Sequence, residues 1–387
     1  MNFALTSSYG DYLPLLAVAA TGFIFCAGFY PFYIKWLKSK QVEQFIREEG
    51  PQSHAVKAKT PTMGGIGFIL GVFVATGFMI YRSGIVVSET MDATYQFNML
   101  LMISLSITCA FACAALGIAD DYGKVSSKSN KGLSARFRLF TEFGLGLILA
   151  TILLFFDAPI GTLVLQSRAG HPLDIFVMPD MLARAYGLIL VPFLVAATSN
   201  AVNLHDGMDG LAAGTSSICF AALSFMLFVC GKSELAWVAS AASGSLIAFL
   251  LYNRYPARVF MGDTGSLFIG GLMASLVVCG GLTLWFIPLS IIYIIESISV
   301  MAQVTYFKLS KPFQPEKPMS APSLALYKLT HRLPGDGKRL LRMAPIHHHF
   351  EAIAAEKGKP EWQVVICFWL IQLVIALAVC FAFSHPL

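Results

Sequence analysis

The hydrophobic positions of this chain fall into ten long runs separated by polar stretches, roughly 12–34, 62–81, 97–119, 137–156, 185–204, 211–230, 234–252, 264–283, 286–307 and 361–383. Each is close to the ~20 residues a helix needs to cross ~30 Å of hydrocarbon. Weak alternation at 161–166 and 173–177, with Gly170 between, predicts a small hairpin in the long connection before the fifth run. The pattern therefore predicts an all-α integral membrane protein with ten transmembrane helices, a single polytopic domain over 1–387.

Composition agrees. Hydrophobic residues make up 56% of the chain and charged residues 13%, with a mean hydropathy of +0.69; a soluble domain carries roughly a quarter charged residues. The first run ends in Lys35 and reads as a signal anchor rather than a cleaved leader. All eight cysteines lie in apolar runs, as small buried hydrophobes do, which argues against a disulfide framework. Charge then orients the chain. The segments 35–61, 119–138, 252–263 and 307–360 hold 23 of the 27 Lys and Arg. The positive-inside rule places these segments in the cytoplasm and both termini on the periplasmic side.

The chemistry gathers on that cytoplasmic side. Asp120 and Asp121 stand at the mouth of the third run, followed by Lys124, Lys128, Lys131, Arg136 and Arg138. Adjacent carboxylates beside lipid oppose each other's ionisation. Acids that hold a divalent cation, next to bases that hold phosphates, form a recurring kit for phosphoryl transfer. A solvated loop is the plain alternative. In the first basic segment, Lys57 and Lys59 are candidate phosphate contacts, and Thr60-Pro61 reads as a capped helix start.

Polar residues recur at Asn200, Asn203, Asp206 and Asp209. Each step of three turns an ideal helix by about 300°, so the four converge only if the helix breaks or tightens near Gly207. Asn253 and Phe260 precede Asp263, which stands before an apolar run as an N-cap would. A helix start also attracts phosphate oxygens, and Phe260 is either packing or a stacking platform for a base. His347, His348 and His349 are consecutive; their side chains point apart on a helix, so hydrogen bonding to phosphate or sugar is expected rather than one zinc site. A coupled transporter would carry its acids mid-membrane. A scaffold for anionic headgroups would leave the asparagine–aspartate series without a role.

Taken in order, TPTMGG at 60–65, ADDYGK at 119–124, KGLSAR at 131–136, NAVNL and DGMDGLAAG within 200–214, YPARVFMGDTGSL at 255–267 and RMAPIHHHFE at 342–351 closely resemble the MraY family of phospho-MurNAc-pentapeptide translocases. The resemblance implies a homodimer of ten-helix chains in the bacterial inner membrane. It implies Mg²⁺-dependent transfer of phospho-MurNAc-pentapeptide from UDP-MurNAc-pentapeptide to undecaprenyl phosphate, giving lipid I and UMP. A related GlcNAc-1-phosphate transferase is the alternative, and no nucleic-acid partner is implied. By the same resemblance Asp120, Asp121 and Asp263 carry the chemistry and the metal, with Asp120 handling the lipid phosphate. Asn200, Asn203, Asp206, Asp209 and Asn253 match positions of the nucleotide site, and Phe260 would stack on uracil. Lys124, Lys128 and His347–His349 would lie near pyrophosphate and sugar, and which of Lys57 and Lys59 acts stays open. Two departures stand out. The family's NLTDGLDG is here NLHDGMDG, with His205 and Met208. A Pro-rich stretch at about 310–330 reads as an extended insertion.

Overall fold

The computed structural model describes residues 12–40, 42, 60–83, 93–127, 129, 132–156, 165–166, 172–173, 180–313, 315 and 319–385. Among them, ten helices are long and apolar enough to cross a membrane. These are α1 (Leu13–Ser39), α2 (Gly65–Ser83), α3 (Ala93–Ser126), α4 (Ala135–Phe155), α5 (Asp180–His205), α6 (Leu211–Val229), α7 (Ser233–Asn253), α8 (Gly262–Gly280), α10 (Ile291–Leu309) and α13 (Glu361–Ser384). Shorter helices are α9 (Thr283–Leu289), α11 (Ala321–Thr330) and α12 (Ile346–Glu356). The predicted hairpin is present in outline: β1 (Leu165–Gln166) pairs antiparallel with β2 (Pro172–Leu173), Leu165 opposite Leu173.

α8 is the axis of the bundle. Every residue from Thr264 to Gly280 is buried, with α3, α5 and α2 packed around it; α1 and α6 flank α7, α4 lies on α5, and α13 on α6. The outer helices keep apolar faces exposed. α13 buries Phe368, Gln372, Ala376, Val379 and Phe383 and exposes Leu370, Leu373, Val374, Leu377 and Phe381. A helix apolar on all sides with one side uncovered is suited to lipid, not water.

Four expectations are corrected. The third run does not end at Ala119: α3 continues through the aspartates to Ser126. Its charged end is satisfied internally, because Asp120 pairs with Lys124 one turn on. The ninth run is two helices, α9 and α10, meeting at Ser290 just after Pro288. Thr60-Pro61 does not start a helix. Residues 61–65 instead run beside 260–261, with Phe260 N donating to Pro61 O at 2.8 Å, Gly64 N to Phe260 O at 2.8 Å and Gly65 N to Met261 O at 3.0 Å. The 310–330 stretch is not extended throughout, since Ser320 caps α11 with Pro322 in its first turn.

Two glycines set the positions of the charged ends. A Cβ at Gly117 would collide with the Asp263 carbonyl, so α3 passes close to the start of α8 only with glycine there. Gly262 opens α8 at φ +74°, against the Asp121 carboxylate.

Candidate active site

The end of α3, the start of α4, the end of α5 and the start of α8 meet in one polar cluster. Asp263 sits in the first turn of α8 and does not cap its own helix. That work falls to Asp121, on α3. Its Oδ1 accepts the Asp263 N–H at 3.1 Å, and its Oδ2 accepts the Thr264 N–H at 2.9 Å and the Thr264 hydroxyl at 2.7 Å. A carboxylate at a helix N-terminus satisfies orphan amides and complements the helix dipole. Both Asp121 oxygens are thereby engaged.

The Asp263 side chain is left free to face the other charges. Its Oδ2 lies 2.9 Å from Lys124 Nζ and 3.0 Å from Arg138 Nη1, and its Oδ1 accepts from Asn203 Nδ2 at 2.8 Å. Lys124 Nζ is also 2.5 Å from Asp120 Oδ2, while Asp120 Oδ1 accepts the Leu133 N–H at 2.6 Å. One lysine therefore bridges the buried Asp120 and the half-buried Asp263. Arg138 continues the network: Nη2 donates to Asn203 Oδ1 at 3.0 Å and Asn200 Oδ1 at 3.4 Å. Asn200 in turn donates to the Glu142 carboxylate and to Ala196 O.

α5 ends at His205, and the break near Gly207 that the three-residue spacing demanded is there. Asn200 and Asn203 reach the cluster from the last turns of α5, and Asp206 and Asp209 lie in the turn beyond. Burial, together with the negative charges of Asp263, Asp121 and Asp209, pushes the Asp206 carboxyl up to about 8. Asp209 and Asn253 hold two turns together. Asp209 Oδ2 accepts the Ala257 N–H at 2.9 Å. Asn253 Oδ1 accepts the Gly210 N–H at 3.1 Å, and its Nδ2 donates to Val259 O at 3.0 Å. Phe260 is half-buried, its backbone paired with the 61–64 segment.

The three histidines go three ways. His347 is fully buried against Glu296 of α10, with Nδ1 3.0 Å from Oε1. His348 Nδ1 is 2.7 Å from Glu351 Oε2, and His349 Nδ1 accepts the Arg342 N–H at 3.2 Å. Lys57, Lys59 and Lys128 lie outside the described residues.

Arg138, Glu142 and Glu296 carry more of this architecture than the sequence reading assigned them. The signal was available: Glu142 and Glu296 are acids inside apolar runs, and such residues are expensive to keep without a use.

The donor set suits a hard divalent cation. Asp120, Asp263 and Asp206 offer carboxylate oxygens, which Mg²⁺ prefers to nitrogen or sulfur. Burial first, and after it the negative charges of Asp263, Asp121 and Asp209, raise the Asp206 carboxyl, so a cation here would face several acidic groups. Beside Arg138, an apolar cleft opens between α4 and α5, lined by Leu139, Phe140, Phe143, Phe193, Ala196 and Ala197.

Comparison with known proteins places this geometry. The family described as "Glycosyl transferase family 4" matches residues 102–281, which contain the whole aspartate cluster. The phospho-N-acetylmuramoyl-pentapeptide-transferase of Acaryochloris marina is 39% identical over 348 residues, 90% of this chain and 81% of that protein. Those of Shouchella clausii and Bacillus licheniformis are 34% and 32% identical, over 94% of this chain and 95% of theirs. At that identity over nearly the full length, the chain belongs to the phospho-N-acetylmuramoyl-pentapeptide-transferase family.

Proposed function

We propose that this protein transfers phospho-MurNAc-pentapeptide from UDP-MurNAc-pentapeptide to undecaprenyl phosphate, releasing UMP and forming lipid I at the cytoplasmic face of a bacterial inner membrane. The observation that carries the reading is the Lys124 bridge between Asp120 and Asp263, with Arg138 closing the other side, at the ends of membrane helices. Two phosphate-bearing substrates repel each other, and a site for them needs cations whose positions are already fixed.

Asp263 and Asp120 would hold Mg²⁺, which when bound screens the phosphates and stabilises charge on departing UMP. Asp121 is a positioning residue: by holding the first turn of α8 it fixes where Asp263 points. Lys124 and Arg138 exchange carboxylate partners for phosphate oxygens, Lys124 as a mobile point charge and Arg138 as a planar fork. Asp120, at the membrane end of the cluster, orients the lipid phosphate and takes its remaining proton. The apolar cleft beside Arg138 suits the first isoprene units of the lipid. On the nucleotide side, the turns tied by Asp209 and Asn253 present the Phe260 ring to uracil. His348 and His349 face the sugar. In keeping with the charge asymmetry, both termini lie in the periplasm, and the assembly is a homodimer.

The test is UMP release by purified protein with undecaprenyl phosphate and Mg²⁺. UDP-MurNAc-pentapeptide should support turnover and UDP-GlcNAc should not. Turnover with UDP-GlcNAc alone would reassign the chain to the GlcNAc-1-phosphate branch. Impermeant labelling of a cysteine at position 168 but not at 128, in intact cells, checks the topology.

A further inference from the structure

Behind the turn that carries Asp206 lies a second cluster, separate from the aspartates. His205 at the end of α5, Glu296 on α10 and His347 in the first turn of α12 are all 0% exposed. One ligand atom from each lies within 4.8 Å of the others, the only such group of three among the described residues. His205 Nδ1 and His347 Nδ1 are 3.1 and 3.0 Å from the same oxygen, Glu296 Oε1.

The hydrogen bonds around His205 accommodate a tautomer that leaves Nδ1 without a hydrogen. The Thr215 hydroxyl lies 2.9 Å from Leu211 O, its nearest acceptor, and 3.2 Å from the Tyr293 hydroxyl, which also meets Ser216 Oγ at 2.9 Å. With the Thr215 hydroxyl donating to Leu211 O, it accepts from His205 Nε2, 3.2 Å away, and in that tautomer Nε2 carries the hydrogen. In the neutral ring, Nδ1 then turns a lone pair toward a carboxylate oxygen. In that tautomer two lone pairs lie 3.1 Å apart in a dry interior and require a cation between them. A proton is one solution. His347 argues for another: its Nδ1 is 3.0 Å from Oε1 without hydrogen-bond alignment, and its Nε2 has no hydrogen-bond partner. An orphaned imidazole is costly at full burial.

We infer that His205, Glu296 and His347 form a binding site for a first-row divalent transition ion, Zn²⁺ foremost. Two imidazoles and one carboxylate are a known zinc and iron set. With metal–ligand distances of about 2.1 Å, an oxygen 3.0–3.1 Å from each imidazole nitrogen makes an angle of roughly 90–95° with it at the ion, which a single metal can accommodate. Outer partners are in place. Thr215 holds the far nitrogen of His205, as outer hydrogen bonds orient metal-bound imidazoles. Met208, Leu211, Ile292, Val365 and Phe368 form an apolar wall nearby. The ion would join the ends of α5, α10 and α12 and so brace the turn bearing Asp206; binding displaces any Nδ1 proton to solvent. It needs nitrogen ligands, so it is not the Mg²⁺ site.

The experiment loads the purified full-length protein with Zn²⁺ or Co²⁺ in Mg²⁺-containing buffer, removes excess ion, and counts metal per chain. One ion per chain is expected, with a Co²⁺ visible spectrum and an absorption-edge shell containing two imidazoles. His205→Thr, the residue of the family pattern, should weaken affinity by about 100-fold or more. Asp263→Asn should leave it unchanged. The thermal midpoint should rise with Zn²⁺ in the parent and not in His205→Thr. Metal well below one per chain, or a shell without imidazole, overturns the proposal and leaves a proton between the three groups. Undiminished binding by His205→Thr overturns it in favour of surface histidines. Should that variant fail to fold, the absorption-edge shell of the parent protein decides alone.

Discussion

Asp263 and Glu296 are both carboxylates set into apolar helices, and both have two cationic or potentially cationic partners. The partners differ in kind. Asp263 faces Lys124 and Arg138, and the Lys124 side chain is 32% exposed. These long side chains can leave a carboxylate for a phosphate. Glu296 faces two imidazoles at 0% exposure, with no route for a substrate to replace them. Burial alone therefore does not mark the proposed reacting centre. What marks it is a buried acid whose partners can be exchanged for a ligand.

Neutralising each carboxylate is the most severe way to break this contrast. Asp263→Asn should lower turnover by about 10³-fold, in the range seen when a group that stabilises developing charge is lost, and should weaken Mg²⁺ binding. Glu296→Gln should leave Mg²⁺ affinity within about twofold and instead lower thermal stability. Removing one partner of a buried charged set costs roughly 3–5 kcal/mol. Steady-state UMP release, Mg²⁺ titration and unfolding of both variants check this. Equal loss of Mg²⁺ affinity in both would erase the distinction.

Arg138→Lys sharpens it on the cation side. The guanidinium meets Asp263 through Nη1 and Asn203 and Asn200 through Nη2. An ammonium reaches one of these places at a time. Losing a charge-assisted hydrogen bond worth about 1.5–3 kcal/mol predicts a drop in kcat/KM of roughly 10- to 150-fold. A loss under threefold would remove Arg138 from the phosphate-binding set.

How far the sequence could be read follows from the same contrast. Span positions were legible because bilayer thickness fixes helix length, and the Asn200–Asp209 spacing correctly demanded a break near Gly207. The motif aspartates were visible, but not their division of labour. That Asp121 caps α8 while Asp263 faces the cations depends on how closely α3 crosses α8 at Gly117, a contact between residues far apart in sequence. Likewise His347 read as one of three equivalent histidines. Only the packing of α12 on α10 separates it from His348 and His349.

A smaller effect concerns pH. Asp206 is held up at about 8 by burial and its acidic neighbours, whereas an unfolded chain titrates it near 3.9. Between these values the folded protein keeps a proton that the unfolded chain releases. Stability is then greatest below the ordinary carboxyl value and declines as pH rises to about 8. In Mg²⁺-free buffer, the thermal midpoint should fall by a few degrees more between pH 5 and 8 in the parent than in Asp206→Asn. Identical profiles would mean that Asp206 ionises in the folded protein as readily as in the unfolded chain.

The smallest expected effect is in the 310–330 stretch. Lys338 N donates to Ser310 Oγ at 2.7 Å, so the chain returns to where it left α10. Between those points α11 has no buried residue. Its ties are of the surface kind: Lys328 Nζ to Lys311 O at 2.7 Å, Lys308 Nζ to Leu329 O at 3.0 Å, and a stack of Phe313 on Tyr327. Surface contacts of this kind contribute at most about 1 kcal/mol each. α12, in contrast, is seated independently of α11, through His347 on Glu296 and through Ile346 N donating to Ser299 Oγ at 3.0 Å. Replacing 312–336 with about four Gly and Ser residues, enough to span neighbouring ends, should leave kcat/KM within about threefold. Zn²⁺ content should be unchanged. A loss above 100-fold with α12 still seated would make α11 part of the substrate site. Loss of Zn²⁺ together with activity would show instead that the insertion holds α12 in place, and that the buried histidine–glutamate cluster does not.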